Sequence, residues 1–236
     1  MKGPVGIALD DDVIYAADIG NKRILSFNAV SGEFIRVLVK NEGAVKGWYP
    51  YYLSISKAAD GASCLCVLDN AKHVVHVFDA KTGRHIRAIG DGQLEGPEGV
   101  AVYHPAAGGN PQLFVADFVI CQVLVFDQTT GALLRTIGRG KGQGPGHLDW
   151  PRGINLQILP VGASPEVLLY VCDMGNHRLQ VFDALTGQHL PREVRGLEEG
   201  GGFKPFSIAV QTREDGITIA YVGEESRAGV RVLEVR

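Results

Sequence analysis

No stretch of the 236-residue sequence approaches the roughly 18 consecutive apolar residues that a membrane-crossing helix needs, so no membrane partner is expected. Basic charge is not in excess. Lys and Arg number 23 against 26 Asp and Glu, a net charge of -3, which leaves no whole-chain footprint for nucleic acid. Cysteine is scarce: Cys64, Cys66, Cys121 and Cys172 form no C-x-x-C pair, and each sits in an apolar run. They read as reduced core thiols in a reducing compartment. The opening Met1-Lys2-Gly3-Pro4 has no apolar leader, and with the unpaired thiols this gives a soluble, cytoplasmic expectation. No Ser, Cys or Thr stands in a setting that argues a nucleophile, so no catalytic triad is assigned. The glycine-rich stretch 138–146 lacks G-x-x-x-x-G-K-[ST] and has no helix pattern after it. It reads as a flexible connection rather than a phosphate loop.

What the chain does have is glycine, 31 residues of it, and repetition. Asp18, Asp69, Asp117 and Asp173 are each followed nine positions later by Phe27, Phe78, Phe126 and Phe182. Fourteen positions after the same aspartates come Gly32, Gly83, Gly131 and Gly187. Upstream of each lies Pro-x-x-apolar, beginning at Pro4, Pro50, Pro97, Pro151 and Pro205. A fifth copy has Glu224 in the acidic place and Leu233 in the Phe place, but its glycine would fall past Arg236.

Each period reads as four short strands, a to d, rich in Val, Ile, Leu and aromatics and bounded by Gly, Pro and Asp. Strand b covers 13–17, 64–68, 112–116, 168–172 and 217–222. Strand c covers 23–27, 74–78, 122–126, 178–182 and 230–235. Strand d covers 34–38, 85–89, 133–137 and, weakly, 189–194. Near-continuous apolar runs suit sheets covered on both faces. The glycine closing each c–d turn serves backbone geometry rather than chemistry.

The segments 15–27 (YAADIGNKRILSF) and 170–182 (YVCDMGNHRLQVF) resemble the heart of an NHL repeat, as the linker 138–154 resembles the glycine-rich segment between NHL blades. The likeness spans the chain and is poorest in the fifth copy, at 223–229. It implies an all-β fold: a β-propeller of four-stranded antiparallel blades. Four repeats are complete and a fifth is partial, so the ring is expected to be incomplete or a fragment of six blades. The expectation is one domain over 1–236, with blades at about 3–47, 48–95, 96–148, 149–202 and 203–236. The missing strand would come from an absent chain segment, from a partner, or from irregular closure.

The repeated aspartates, at one radius of such a ring, do not converge on a metal. Their role is structural, accepting N–H groups of the b–c loop and pairing with Arg23 and Arg178. His73 and His177 share a place with Lys22 and Cys121, which argues against ligation. Relatives with amidating-lyase activity carry metal-binding His beside the strand-a proline. Here those places hold Val5, Tyr51, Glu98, Arg152 and Phe206, so neither metal nor cofactor is expected.

The b–c loops and d–a connections are expected on one face. It gathers Trp48, Tyr49, Tyr51, Phe118 and Trp150 with Arg139, Lys141, His147 and Arg152, a composition suited to binding a protein or peptide. Single-stranded RNA on the same face and a metal-dependent hydrolase or lyase are the alternatives. Glu42, Asp91, Glu95 and Asp149 on that face weigh against an RNA backbone.

Overall fold

A computed structural model describes residues 1–57, 61–105, 108–159, 165–195, 202–225 and 229–236. Loop insertions expected in the third and fourth copies fall partly on 106–107 and 160–164, and the divergent fifth-copy loop partly on 226–228. These lie outside the described residues.

Every copy folds as a sheet. The first holds β1 (Pro4–Asp10), β2 (Val13–Asp18), β3 (Arg23–Asn28) and β4 (Phe34–Val39), in that order. The second holds β5 (Pro50–Lys57), β6 (Ser63–Asp69), β7 (Val74–Asp79) and β8 (His85–Ile89). The third holds β9 (Pro97–Tyr103), β10 (Gln112–Asp117), β11 (Gln122–Asp127) and β12 (Leu133–Ile137). The fourth runs through β13 (Pro151–Leu159), β14 (Glu166–Asp173), β15 (Arg178–Asp183) and β16 (His189–Leu190). After β17 (Val194–Arg195), the chain forms β18 (Pro205–Thr212), β19 (Thr218–Glu224) and β20 (Val230–Val235). These are the blades of a β-propeller.

The fifth sheet departs from the expectation of a partial blade. It has four strands in the order β17-β20-β19-β18. Its outer strand comes from upstream: Val194 pairs with Val235 and Arg195 with Glu234, antiparallel. The run 189–194, read as one fourth strand, is therefore divided between two blades. Pro191, which donates no N–H, lies in the break.

The residues cluster into two compact units, one of 1–114 with 126–134 and one of 115–125 with 135–236. In the first, Tyr15, Ala17 and Ile24 of one blade pack with Leu53, Leu65, Val67 and Phe78 of the next, around Trp48. In the second, Tyr170, Cys172, Leu179 and Val181 pack with Ala220, Val222, Leu233 and Val235. Burying each Val, Leu, Ile or Phe among them contributes about 1.5–3 kcal/mol. Burial also pushes the Cys66 and Cys172 thiols far above their ordinary value, so both stay protonated.

Two local devices recur. The glycines that close the c–d turns are left-handed, at φ +73 (Gly32), +75 (Gly83), +83 (Gly131) and +77 (Gly187). The register also shifts just after the strand-a proline, between Pro4 and Ile7, Pro50 and Leu53, Pro151 and Ile154, and Pro205 and Ser207. Such bulges re-aim the residues they contain.

Candidate functional site

The buried carboxylates anchor the b–c loops. Asp18 takes hydrogen bonds from Lys2 N, Asn21 and Arg23, the last at 2.7 Å. Asp69 takes them from Tyr49 N, Ala71 N and His76, and Asp117 from Val119 N and Ile120 N. Asp173 accepts from Asp149 N at 2.7 Å, Asn176 at 2.9 Å, and Arg178 and Gln180 at 2.8 Å each. Burial pushes the Asp18 and Asp69 carboxyls up, but these donors outweigh it and hold both below the ordinary value. In the same loops Lys22, His73, Cys121 and His177 are all left-handed, with φ between +53 and +58. The place shared by the two histidines is thus defined by backbone conformation, not by side-chain chemistry. His177 further bonds the Phe203 carbonyl at 2.8 Å.

The residues chosen from sequence fall into both units. In the first, Trp48 is not on the surface. It is 0% exposed, its Nε1 donates to the Lys22 carbonyl at 2.9 Å, and its ring meets Phe78 and His76 edge-on. Tyr49 is exposed, with Lys22 Nζ 4.3 Å over its ring, while the Tyr51 ring packs edge-on against Tyr52.

In the second unit, the connection from β12 to β13 is fastened rather than a loose tether. Arg139 N bonds Gly146 O and Leu148 N bonds Gly140 O. Arg178 and Gln180 both donate to the His147 carbonyl, Asn176 donates to Gly142 O, and Leu148 is fully buried. This rigid frame leaves Arg139 and Lys141 exposed, His147 half-buried, and Lys141 Nζ 3.5 Å from Asp149. Trp150 follows at 50% exposure and with φ +49. In the first copy, Lys2 and Asp18 are joined as Asp149 and Asp173 are joined here, and the next residue, Gly3, has φ +58. Trp150 therefore stands where the first copy uses glycine. Just beyond it, within the bulge, Arg152 lies 4.8 Å over the Phe118 ring and 5.6 Å over that of Phe206. Val119, beside Phe118, is 48% exposed. Sequence reasoning missed Val119 and Phe206 as members of this surface. The signal for Phe206 was present in its place after the strand-a proline.

A concavity of about 520 Å³ lies in the first unit between the a–b and c–d turns of its first two blades. Asp10, Asp11, Asp12, Arg36 and Asp79 line it. Four of these five side chains are already engaged: Lys57 Nζ sits 2.6 Å from Asp11 and 3.8 Å from Asp10, Arg36 donates to the Lys81 carbonyl, and Asp79 accepts from Thr82.

One buried Ser–His contact also occurs, Ser56 Oγ to His104 Nε2 at 2.7 Å, with Gln128 Oε1 at 2.7 Å from the same hydroxyl. Its place in the repeat explains it. The residue six after a strand-a proline meets the residue seven after the next: Asp10 meets Lys57, Ser56 meets His104, and Gln157 meets Thr212. These are clasps between blades, and Ser56 is only 3% exposed. Among the described residues, no three of His, Cys, Asp and Glu converge as a metal-holding group.

Burial lowers His104 and, with nearby His76, lowers His85, whose Nε2 lies 3.0 Å from His76 Nδ1. Both residues favour the neutral form when folded. Their contribution is complete above the unfolded value near 6.5 and is lost as pH falls below it. The melting temperature is therefore expected to drop between about pH 7 and pH 5, and less steeply in a His85→Gln, His104→Gln variant. Parallel curves for the two proteins would refute this. The Asp18 and Asp69 contributions persist to lower pH and fade only below about 3.9.

No protein-family model matches the sequence, and no curated protein matches it. Solved structures do. A hydrazine synthase chain from Kuenenia stuttgartiensis aligns at TM-score 0.61 and 16% identity, over 94% of this chain and 56% of that one. A chain of the nidogen/laminin complex aligns at 0.65 and 18%, over 94% and 72%. A catalytically inactive virginiamycin B lyase from Staphylococcus aureus, with quinupristin, aligns at 0.62 and 15%, over 99% and 66%. The fold is a five-bladed β-propeller. This chain spans little more than half of the hydrazine synthase chain, and at these identities the likeness is one of fold alone. No helix among the described residues is long and apolar enough to cross a membrane.

Proposed function

We propose that this chain is a non-enzymatic binding module with NHL-type repeats that holds a protein or peptide segment on the surface around Trp150. The observation that carries this reading is the state of Trp150 itself. A bulky side chain in left-handed backbone costs roughly 1–2 kcal/mol, and leaving an indole half in water forfeits further burial. Both losses fall on a residue whose counterpart in the first copy is glycine. Strain and exposure together at a rigidly held loop favour a role in recognition over one in stability. The stacked Phe118, Arg152 and Phe206, with Arg139 and Lys141 at the rim, supply the aromatic and Arg-rich chemistry of an interface centre. The nidogen/laminin neighbour is a propeller-like chain from a protein–protein complex, which agrees with this reading.

The test uses peptides selected on the purified protein from a random displayed library. Trp150→Gly removes the ring and relieves the backbone, so stability is expected to hold or rise by up to about 1 kcal/mol. Affinity for the selected peptides is expected to fall about thirtyfold, the effect of losing a hot-spot residue. Unchanged affinity, or a library that yields no binder, would overturn the proposal.

A further inference from the structure

In the second copy two imidazoles face each other across β7 and β8, His76 Nδ1 lying 3.0 Å from His85 Nε2. Their places are seven and sixteen residues after the repeat aspartate. The first copy has Leu25 and Phe34 there, the third Leu124 and Leu133, and the fourth Gln180 and His189. A blade of this type therefore does not require the pair.

The b–c loop explains one of the two. The first and fourth copies fasten their aspartate with an arginine five residues on, Arg23 and Arg178, where the second copy has Val74. His76 Nε2, 3.3 Å from Asp69, supplies a donor instead, as the Gln180 amide does for Asp173. That duty accounts for His76 but not for His85.

The Asp69 carboxyl is held below its ordinary value and is ionised, so the Nε2 it faces carries the hydrogen. The basic nitrogen of His76 is then Nδ1, the one turned to His85. A carboxylate that orients an imidazole in this way is the usual support of a metal-binding histidine. Packing fixes both rings: His76 lies edge-on to Trp48 and His85 edge-on to Phe78. His76 is buried, while His85 is half-buried and lines a smaller concavity, of about 210 Å³, together with Lys40 and Glu42.

We infer that His76 Nδ1 and His85 Nε2 form a two-imidazole site for a divalent transition-metal ion, Cu(II) in preference to Ni(II) or Zn(II). At metal–nitrogen distances of about 2.0–2.1 Å, nitrogens 3.0 Å apart subtend roughly 95° at the metal. That is close to the right angle between neighbouring ligands in square-planar and octahedral sites and short of the tetrahedral angle, and Cu(II) also heads the affinity order for nitrogen ligands. On binding, His85 passes its Nε2 hydrogen to Nδ1, a change of tautomer that frees the lone pair and leaves the ring neutral. Burial, with His76 beside it, already favours that neutral ring. Water entering through the concavity completes the coordination. Asp69 behind His76 and Glu42 in the concavity offset the added charge, against Lys40 and against Lys72, whose Nζ donates to the Ala44 carbonyl. The site stands on strands c and d, not beside the strand-a proline where metal-binding histidines were sought.

The experiment titrates the chelator-stripped chain, without a polyhistidine tag, with Cu(II), Ni(II) and Zn(II) chlorides. Calorimetry gives affinity, and electron paramagnetic resonance of the Cu(II) form counts the nitrogens bound. One tight Cu(II) per chain is expected, held more strongly than Ni(II) or Zn(II), with splitting from two imidazole nitrogens. His85→Leu installs the residue of the third copy, and His76→Gln that of the fourth. Each is expected to weaken Cu(II) more than tenfold, beyond the least effect of removing a mere orienting partner, and to abolish the two-nitrogen pattern. His189→Leu, the corresponding change in the fourth copy, is expected to leave affinity unchanged. Should circular dichroism show His76→Gln misfolded, His85→Leu and His85→Phe decide the matter. Cu(II) bound to His85→Leu as tightly as to wild type, a wild-type spectrum lacking the nitrogen pair, or an equal loss in His189→Leu would each overturn the inference.

Discussion

Asp173→Ala is expected to lower the free energy of unfolding by roughly 3 kcal/mol, read as a shift in the urea midpoint at unchanged slope. The carboxylate is 0% exposed and collects donors from three directions: Asp149 N from the incoming connection, Asn176 from its own loop, and Arg178 and Gln180 from β15. Removing it leaves these groups unsatisfied while the loop that holds Trp150 loses its post. Arg178 is 29% exposed and can turn to water, which places the loss at the lower end for a broken buried pair. Asp173→Asn keeps the shape and part of the bonding, and about half the loss is expected. A midpoint within error of wild type for Asp173→Ala would show that water replaces the carboxylate without penalty.

The two tryptophans should behave as opposites. Trp48→Ala is expected to cost about 3–5 kcal/mol, the loss for a fully buried large ring, because its space lies between Phe78, His76 and the core of two blades. Trp48→Phe retains most contacts but loses the donor to the Lys22 carbonyl, a loss of about 1 kcal/mol. Trp150→Ala should stay within about 0.5 kcal/mol of wild type, as substitutions at exposed loop positions do. Thermal melts of the three variants decide the matter. Equal losses at positions 48 and 150 would contradict the burial that separates them.

Much of the fold is legible in the sequence because its signals are local. An aspartate, a phenylalanine and a turn glycine at fixed spacing mark strands b and c and the turn to d in each of the first four copies, and the strands form within a residue or two of the positions so read. Long-range pairing is not written that way. Val194–Arg195 joins β20, which lies some 40 residues further on, and nothing near Val194 announces it. The candidate surface is legible in composition but not in depth. Trp48 and Trp150 both stand just before a strand-a proline and look equivalent. One enters the core and the other faces water: Trp48 precedes Tyr49, whose N–H bonds the repeat aspartate and which abuts Pro50, whereas Trp150 is an extra left-handed residue between the equivalent Asp149 and Pro151. Comparison with Gly3 was the clue within reach. The stacking of Arg152 on Phe118 and Phe206 depends on a bulge and on loops far apart in sequence, which spacing alone does not reveal.

The clasps between blades differ in kind while keeping their place: a carboxylate with an ammonium, a hydroxyl with an imidazole, an amide with a hydroxyl. Near-identical modules invite docking in the wrong sequence as a chain folds, since apolar faces alone scarcely distinguish one neighbour from another. Mismatched clasps would strand a charge or a donor without its counterpart, a penalty felt only in the misordered arrangement. At the three junctions where they occur, the polar margins thus distinguish one neighbour from another in a way that the greasy interiors do not.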